Sequence, residues 1–270
     1  MRRVTLTGAH ACTPLCECTR FAMKRGVKAL IKNTAPGKFC KGKFAGFRVK
    51  SPSGRATGTK LRGITKLLGT KLYSKGEIQY GKGGWRGEAW KGEGGGLRRG
   101  KAVDAQVSRL CQASEATRRK SKMLKFTRLV FSALKYHDLA PVGSQRVVLH
   151  EGKRLGTAVD ILCMRGEDEL VLVELKCGFA GDRATPTFPK GNLKGPLSKA
   201  VDCALHRHLA QLAATTALFE REAGTLRALK QRGVTKVGAA LLYVSDEGSE
   251  KHELPQWWRR RGLKILEAIA

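Results

Sequence analysis

The sequence predicts an α/β domain with a mixed sheet over residues 102–270, preceded by a long, basic and largely disordered segment over residues 1–101. Two observations carry the first part. Stretches with apolar residues at helical spacing are interspersed with continuous apolar runs of strand length, and their order is helix, helix, three strands, helix, strand, helix. A third observation separates the segments: positive charge and glycine crowd into the first hundred residues, where no repeat and no sustained helical period is found.

Val103, Val107, Leu110 and Cys111 recur at helical spacing, which predicts a helix over 103–117. Leu124, Val130, Phe131 and Leu134 predict a second over 121–137, stopped before Pro141. Three strands follow, at Arg146–His150, Leu155–Met164 and Leu170–Lys176, with a hairpin turn at 165–169 behind Gly166. Four glycines and three prolines make 178–196 a loop. Leu205, Leu209, Leu212, Thr216 and Phe219 form the stripe of a helix within 197–223. Val237, Ala239, Leu241 and Tyr243 mark a buried strand over Lys236–Ser245, and a last helix over 256–269 follows Pro255.

The charge balance narrows the partners. Lys and Arg number 52 against 22 Asp and Glu, a net of +30, and residues 1–100 alone hold 23 basic and 4 acidic side chains. A polycation of this kind gains from releasing the counterions condensed on phosphates, which points to nucleic acid. Within the basic segment Trp85 and Trp90 stand among Lys82, Arg86 and Lys91, an arrangement suited to stacking on exposed bases, and Arg98 and Arg99 extend it. No run of about 18 apolar residues is present, so no membrane span is expected. Four of the eight cysteines, Cys111, Cys163, Cys177 and Cys203, are scattered singly through the C-terminal half and fit reduced thiols of a soluble intracellular protein. A nuclear location is expected in a eukaryotic or viral setting, with an organellar presequence as the other reading of the Arg- and Thr-containing first residues.

The chemistry concentrates in two strands. Gly156-Thr157-Ala158-Val159-Asp160 and, after 13 intervening residues, Glu174-Leu175-Lys176 set charged side chains into apolar runs, which is costly unless they are paired or bind a cation. Alternation puts Glu174 and Lys176 on one face, and a hairpin turning at 165–169 brings Asp160 beside Glu174. Two such carboxylates suit a hard divalent ion, Mg²⁺ or Mn²⁺, that keeps waters of its own, and a nearby ammonium can orient one of them. Gln211, on the helix over 197–223, lies beside its apolar stripe on the side of His208 and Thr215, within reach of the edge of a site on the sheet. His208 is a phosphate-contacting candidate there.

These residues, with the element order of 103–245, resemble the PD-(D/E)XK nuclease superfamily, in particular its RecB-like and lambda-exonuclease-like branch. The resemblance implies a restriction-endonuclease-like core of helix, three strands, helix and strand. It implies metal binding by Asp160 and Glu174, a backbone carbonyl ligand from Leu175, and catalytic assistance from Lys176. The branch often carries Gln-x-x-x-Tyr on the helix after the third strand. Gln211 matches, and Thr215 stands where the tyrosine is expected. A further acid on the first core helix is common in the family; Glu115 is the candidate, with Glu151 as the other acid close in sequence.

The expectation is therefore a Mg²⁺- or Mn²⁺-dependent deoxyribonuclease hydrolysing phosphodiester bonds in recombination, repair or viral genome processing. RNA is not separated from DNA by these residues. The alternative is a non-catalytic, basic DNA-binding or condensing protein built on the same scaffold. On either reading residues 1–100 are an accessory, so that deleting them weakens DNA binding and leaves the core folded.

Overall fold

The computed structural model describes residues 17–35, 37–40, 46–50, 56–74, 95–178 and 191–270. In chain order the elements are α1 (Glu17–Asn33), β1 (Gly37–Cys40), β2 (Gly46–Lys50), β3 (Ala56–Gly63) and α2 (Ile64–Lys71). Then come α3 (Gly95–Gln112), α4 (Glu115–Lys120), α5 (Lys125–Tyr136), β4 (Ala140–His150), β5 (Leu155–Arg165) and β6 (Glu169–Cys177). The chain closes with α6 (Ala204–Phe219), α7 (Ala223–Lys230), β7 (Lys236–Ser245), β8 (Gly248–Glu253), α8 (Gln256–Arg259) and α9 (Gly262–Ile269). The fold is α/β with an open mixed sheet, as the element order predicts.

The strands run β1-β2-β3-β5-β6-β7-β8, with β4 beside β5 off that path. β4 lies antiparallel along nearly the whole of β5, from His150↔Leu155 to Ala140↔Met164. The other edge of β5 is divided between two strands. β3 pairs there in parallel at Leu155 and Gly156, and β6 pairs antiparallel from Ile161 to Arg165. Neither pairs residues 157–160, so the sheet opens at that point, immediately before Ile161.

Apolar side chains fill both faces. Val103, Val107 and Cys111 of α3, with Phe126, Val130, Ala133 and Leu134 of α5, pack against Ile161, Cys163, Val171, Val173, Ala240, Leu242 and Val244. On the opposite face Leu209, Leu212, Ala213 and Phe219 of α6 pack with Leu170, Leu172, Leu241 and Tyr243. The alanines of α6 admit close neighbours: a Cβ on Gly262 would lie 2.6 Å from the Ala213 carbonyl oxygen, so α9 crosses α6 at a position only glycine fits.

Several elements differ from the sequence expectation, each for a local reason. The first helix stops at Gln112, because Ser114 caps a new one, its hydroxyl accepting the Thr117 N–H at 3.1 Å. β4 begins at Ala140 rather than Arg146; the register shifts between Pro141 and Gly143, which accommodates a proline without a ladder N–H. The final helix is two short ones, and α7 and β8 are additional. The N-terminal segment, expected to be largely disordered, is in its described parts helix and strand. Val27, Leu30 and Ile31 of α1 and Ile64 and Leu68 of α2 belong to the same buried cluster as α6, so a boundary at residue 102 cuts through one hydrophobic core. Among the described residues no helix is long and apolar enough to cross a membrane.

Candidate functional site

The opening in the sheet sets the site. The last β5–β6 pair is Ile161↔Val173, so the next residues to face each other are Asp160 and Glu174, as the hairpin predicts. β5 has by then left the ladder, and the Asp160 side chain takes the place of its backbone: Oδ2 accepts the Leu175 N–H at 2.9 Å. The Leu175 carbonyl leaves the strand on the same edge as its N–H, into the same opening. Asp160 is half-buried, and its carboxyl is pushed well above the ordinary value. Burial is the larger cause, followed by the Glu174 charge; Lys176 and the Leu175 N–H act in the opposite direction.

Glu174 is 2% exposed. Its Oε1 accepts from Lys176 Nζ at 2.6 Å and from Gln211 Nε2 at 2.6 Å, and Lys176 Nζ also donates to Gln211 Oε1 at 3.3 Å. Strand alternation thus delivers Lys176 beside Glu174, and α6 delivers Gln211 over both. Both bonds to Glu174 fall on Oε1, so Oε2 is spent on neither. Tyr243 is the β7 partner of Lys176, and its hydroxyl bonds to His208 Nδ1 at 2.9 Å. His208 is therefore 6% exposed inside the domain, beside the site instead of on a surface that meets phosphates.

Other candidates fall elsewhere. Glu115 is an exposed residue at the start of α4, paired with Arg119, which draws its carboxyl below the ordinary value. No contact joins it to Asp160 or Glu174. Glu151 is exposed in the turn after β4. Arg99 is 3% exposed with its guanidinium 4.6 Å from the centre of the Phe126 ring, and Arg98 belongs to the first turn of α3. Lys82, Arg86 and Lys91, with both tryptophans beside them, lie outside the described residues.

Two residues at the site escaped the sequence reading. Gln145 of β4 lies across from the opening and donates through Nε2 to Asp104 Oδ1 at 2.7 Å and to Asp160 Oδ1 at 3.4 Å. Asp104, the sole acid of α3, is thereby joined to Asp160, and its charge also raises the Asp160 carboxyl. A signal for it existed: an acid beside the apolar stripe of an otherwise basic helix. The Cys177 thiol, next along β6, is pushed up to about 12 by burial, with Asp160 and Asp104 acting in the same direction. Cys111, Cys163, Cys177 and Cys203 are thiols outside any disulfide.

The donors are hard oxygens, the Asp160 carboxylate, Glu174 Oε2 and the Leu175 carbonyl, of the type Mg²⁺ and Mn²⁺ take. Among the described residues no group of three or more His, Cys, Asp or Glu side chains is placed to hold a metal ion, so this set requires water to complete it. Protein-family models give no match to the sequence, and curated proteins give none.

Proposed function

We propose that the chain is a Mg²⁺- or Mn²⁺-dependent deoxyribonuclease that hydrolyses phosphodiester bonds, with DNA as its partner. The observation that carries the reading is the meeting of Asp160, Glu174 and Lys176 where the sheet opens, with the Leu175 carbonyl on the same edge. A bound divalent ion would supply a nucleophilic water and stabilise charge on the phosphate. The residues of the chain hold and orient: Asp160, Glu174 and the Leu175 carbonyl supply oxygens, and the Lys176 ammonium directs a water and offsets negative charge on the phosphate. Gln211 keeps Lys176 and Glu174 in register by bonding to both. The basic N-terminal region supplies sequence-independent affinity for the phosphate backbone.

The second reading, a DNA-binding or condensing protein on a nuclease-like scaffold, draws on one observation. Lys176 and Gln211 already satisfy Glu174 Oε1 without a metal, so the trio is stable as an internal ion pair. Cleavage of end-labelled linear and closed circular DNA separates the two, using wild type, Asp160→Ala and Lys176→Ala with Mg²⁺ or EDTA. Cleavage by wild type alone, lost in EDTA, supports the nuclease. Tight, salt-sensitive binding by all three with no product from any substrate supports the scaffold.

A further inference from the structure

We infer that Gln145 is a positioning residue of the proposed metal site, its one amide nitrogen holding the Asp104 and Asp160 carboxylates together from the far side of β5. The inference rests on the nuclease reading and adds to it a residue that touches neither Glu174 nor Lys176.

Gln145 has φ 49, in the left-handed region, in the middle of a β-strand. A side chain with a full Cβ is rare there, and the conformation persists only where the surroundings fix it. They do so on both sides. Ser144 is tied to α3, its hydroxyl donating to the Ser108 carbonyl at 3.1 Å. Arg146 is 3% exposed and held by Glu222 and the Ile31 carbonyl, by the Thr34 hydroxyl at 3.2 Å, and by the Thr225 hydroxyl at 3.1 Å. β4 pairs β5 through Ser144↔Ile161 and Arg146↔Val159, which leaves Gln145 opposite Asp160 and out of the ladder. The left-handed residue is thus the one whose amide reaches the two acids.

The choice of side chain is chemical as well as geometric. An amide NH₂ has two N–H groups and can serve two carboxylates from one nitrogen. It is neutral, so it draws the acids together without cancelling the charge that attracts a cation; a lysine there would cancel part of it. Partners of this kind that orient metal ligands typically matter by about 10–100-fold in affinity or activity.

The test measures Mn²⁺ binding by calorimetry and the thermal unfolding midpoint on the full chain for wild type, Gln145→Gly, Gln145→Ala and Asp160→Asn. Glycine relieves the left-handed backbone and removes the amide, whereas alanine removes the amide and keeps the strain. A positioning role gives both Gln145 variants at least about tenfold weaker Mn²⁺ binding while their melting temperatures diverge, glycine at or above wild type and alanine below. Mn²⁺ binding within twofold of wild type in Gln145→Gly overturns the inference, and that variant decides the question where alanine does not fold. If Asp160→Asn binds Mn²⁺ as wild type does, the metal site itself is wrong and the inference falls with it; loss in Asp160→Asn with no loss in Gln145→Gly removes the inference alone.

Discussion

Replacing Lys176 with Met tests whether the buried trio is a site waiting for a cation or only an internal ion pair. Lys176 Nζ lies 2.6 Å from Glu174 Oε1, with the side chains 16% and 2% exposed. At an effective dielectric of about 20, unit charges at that separation attract by about 6 kcal/mol. Desolvating Glu174 takes several kcal/mol back. Removing Lys176 leaves a buried carboxylate with Gln211 as its remaining described donor, and a hydrogen bond to a charged group contributes about 1.5–3 kcal/mol. Lys176→Met is therefore expected to lose about 2–4 kcal/mol in urea unfolding, and Glu174→Gln about 1–2 kcal/mol, because the Lys176 ammonium still reaches water. The double variant should lie within about 1 kcal/mol of wild type although the single losses sum to about 3–6 kcal/mol, a coupling of at least about 2 kcal/mol. Mg²⁺ at about a hundred times its dissociation constant adds about 2.7 kcal/mol to whatever binds it. It should stabilise Lys176→Met more than wild type, since the ion replaces the missing ammonium beside Glu174. Cleavage should not return, because the ammonium that directs water is gone. Additive losses, or a Lys176→Met protein indifferent to Mg²⁺, would refute the reasoning.

The remaining expectations concern pH, the choice of acid and the N-terminal segment. Asp160 has a folded-state pKa above its ordinary 3.8, so the folded protein holds that proton more tightly and the carboxylate costs stability as pH rises through and above that value. Asp160→Asn should then melt above wild type at pH 8, with the difference shrinking toward pH 4 and reduced at pH 8 by Mg²⁺; a difference that grows on acidification contradicts the burial. Asp104→Asn should lower metal-dependent cleavage, whereas Glu115→Ala should leave both cleavage rate and melting temperature unchanged, which an end-labelled DNA assay and calorimetry read directly. Removing residues 1–94 strips Val27, Leu30, Ile31, Ile64, Leu68 and Leu72 from the core at about 1.5–3 kcal/mol each, about 9–18 kcal/mol together and comparable to the whole of a typical stability of about 5–15 kcal/mol, and it also takes the Ile31 and Thr34 partners from Arg146. That chain should not fold, as far-ultraviolet circular dichroism would show, contrary to the expectation drawn from composition.

What could be read from the sequence follows from the range of the forces involved. The hairpin at 165–169 and the pairing of Glu174 with Lys176 are local: alternation and turn chemistry specify them, and the register Arg165↔Glu169 and Ile161↔Val173 agrees. Gln211 was reachable because helical periodicity fixes a face. The N-terminal helices were hidden by composition. Six apolar positions suffice to anchor α1 and α2 on the α6 side of the sheet, yet averaged over a hundred residues they vanish beneath lysine and glycine. Asp104 and Gln145 were hidden by distance, being 41 residues apart and brought together only when α3 packs against β4.

The same distinction explains why Glu115 lies away from Asp160 while Asp104 is joined to it through Gln145. A helix presents a given face only every third or fourth residue, and Ser114 starts a new helix before Glu115, which breaks the phase set by Val103, Val107 and Cys111. Asp104 lies within the unbroken phase, one turn before Ser108, the residue that Ser144 of β4 grips. The helix face tied to β4 at Ser108 therefore carries Asp104 to Gln145, and the neighbour of Ser144 in sequence is the residue that receives it. The serine joint and the left-handed glutamine on one edge of β5, and the opening between β3 and β6 on its other edge, meet at Asp160, immediately before Ile161. A substitution that restored regular pairing across residues 157–160 would improve the sheet and remove the place where the carboxylates meet.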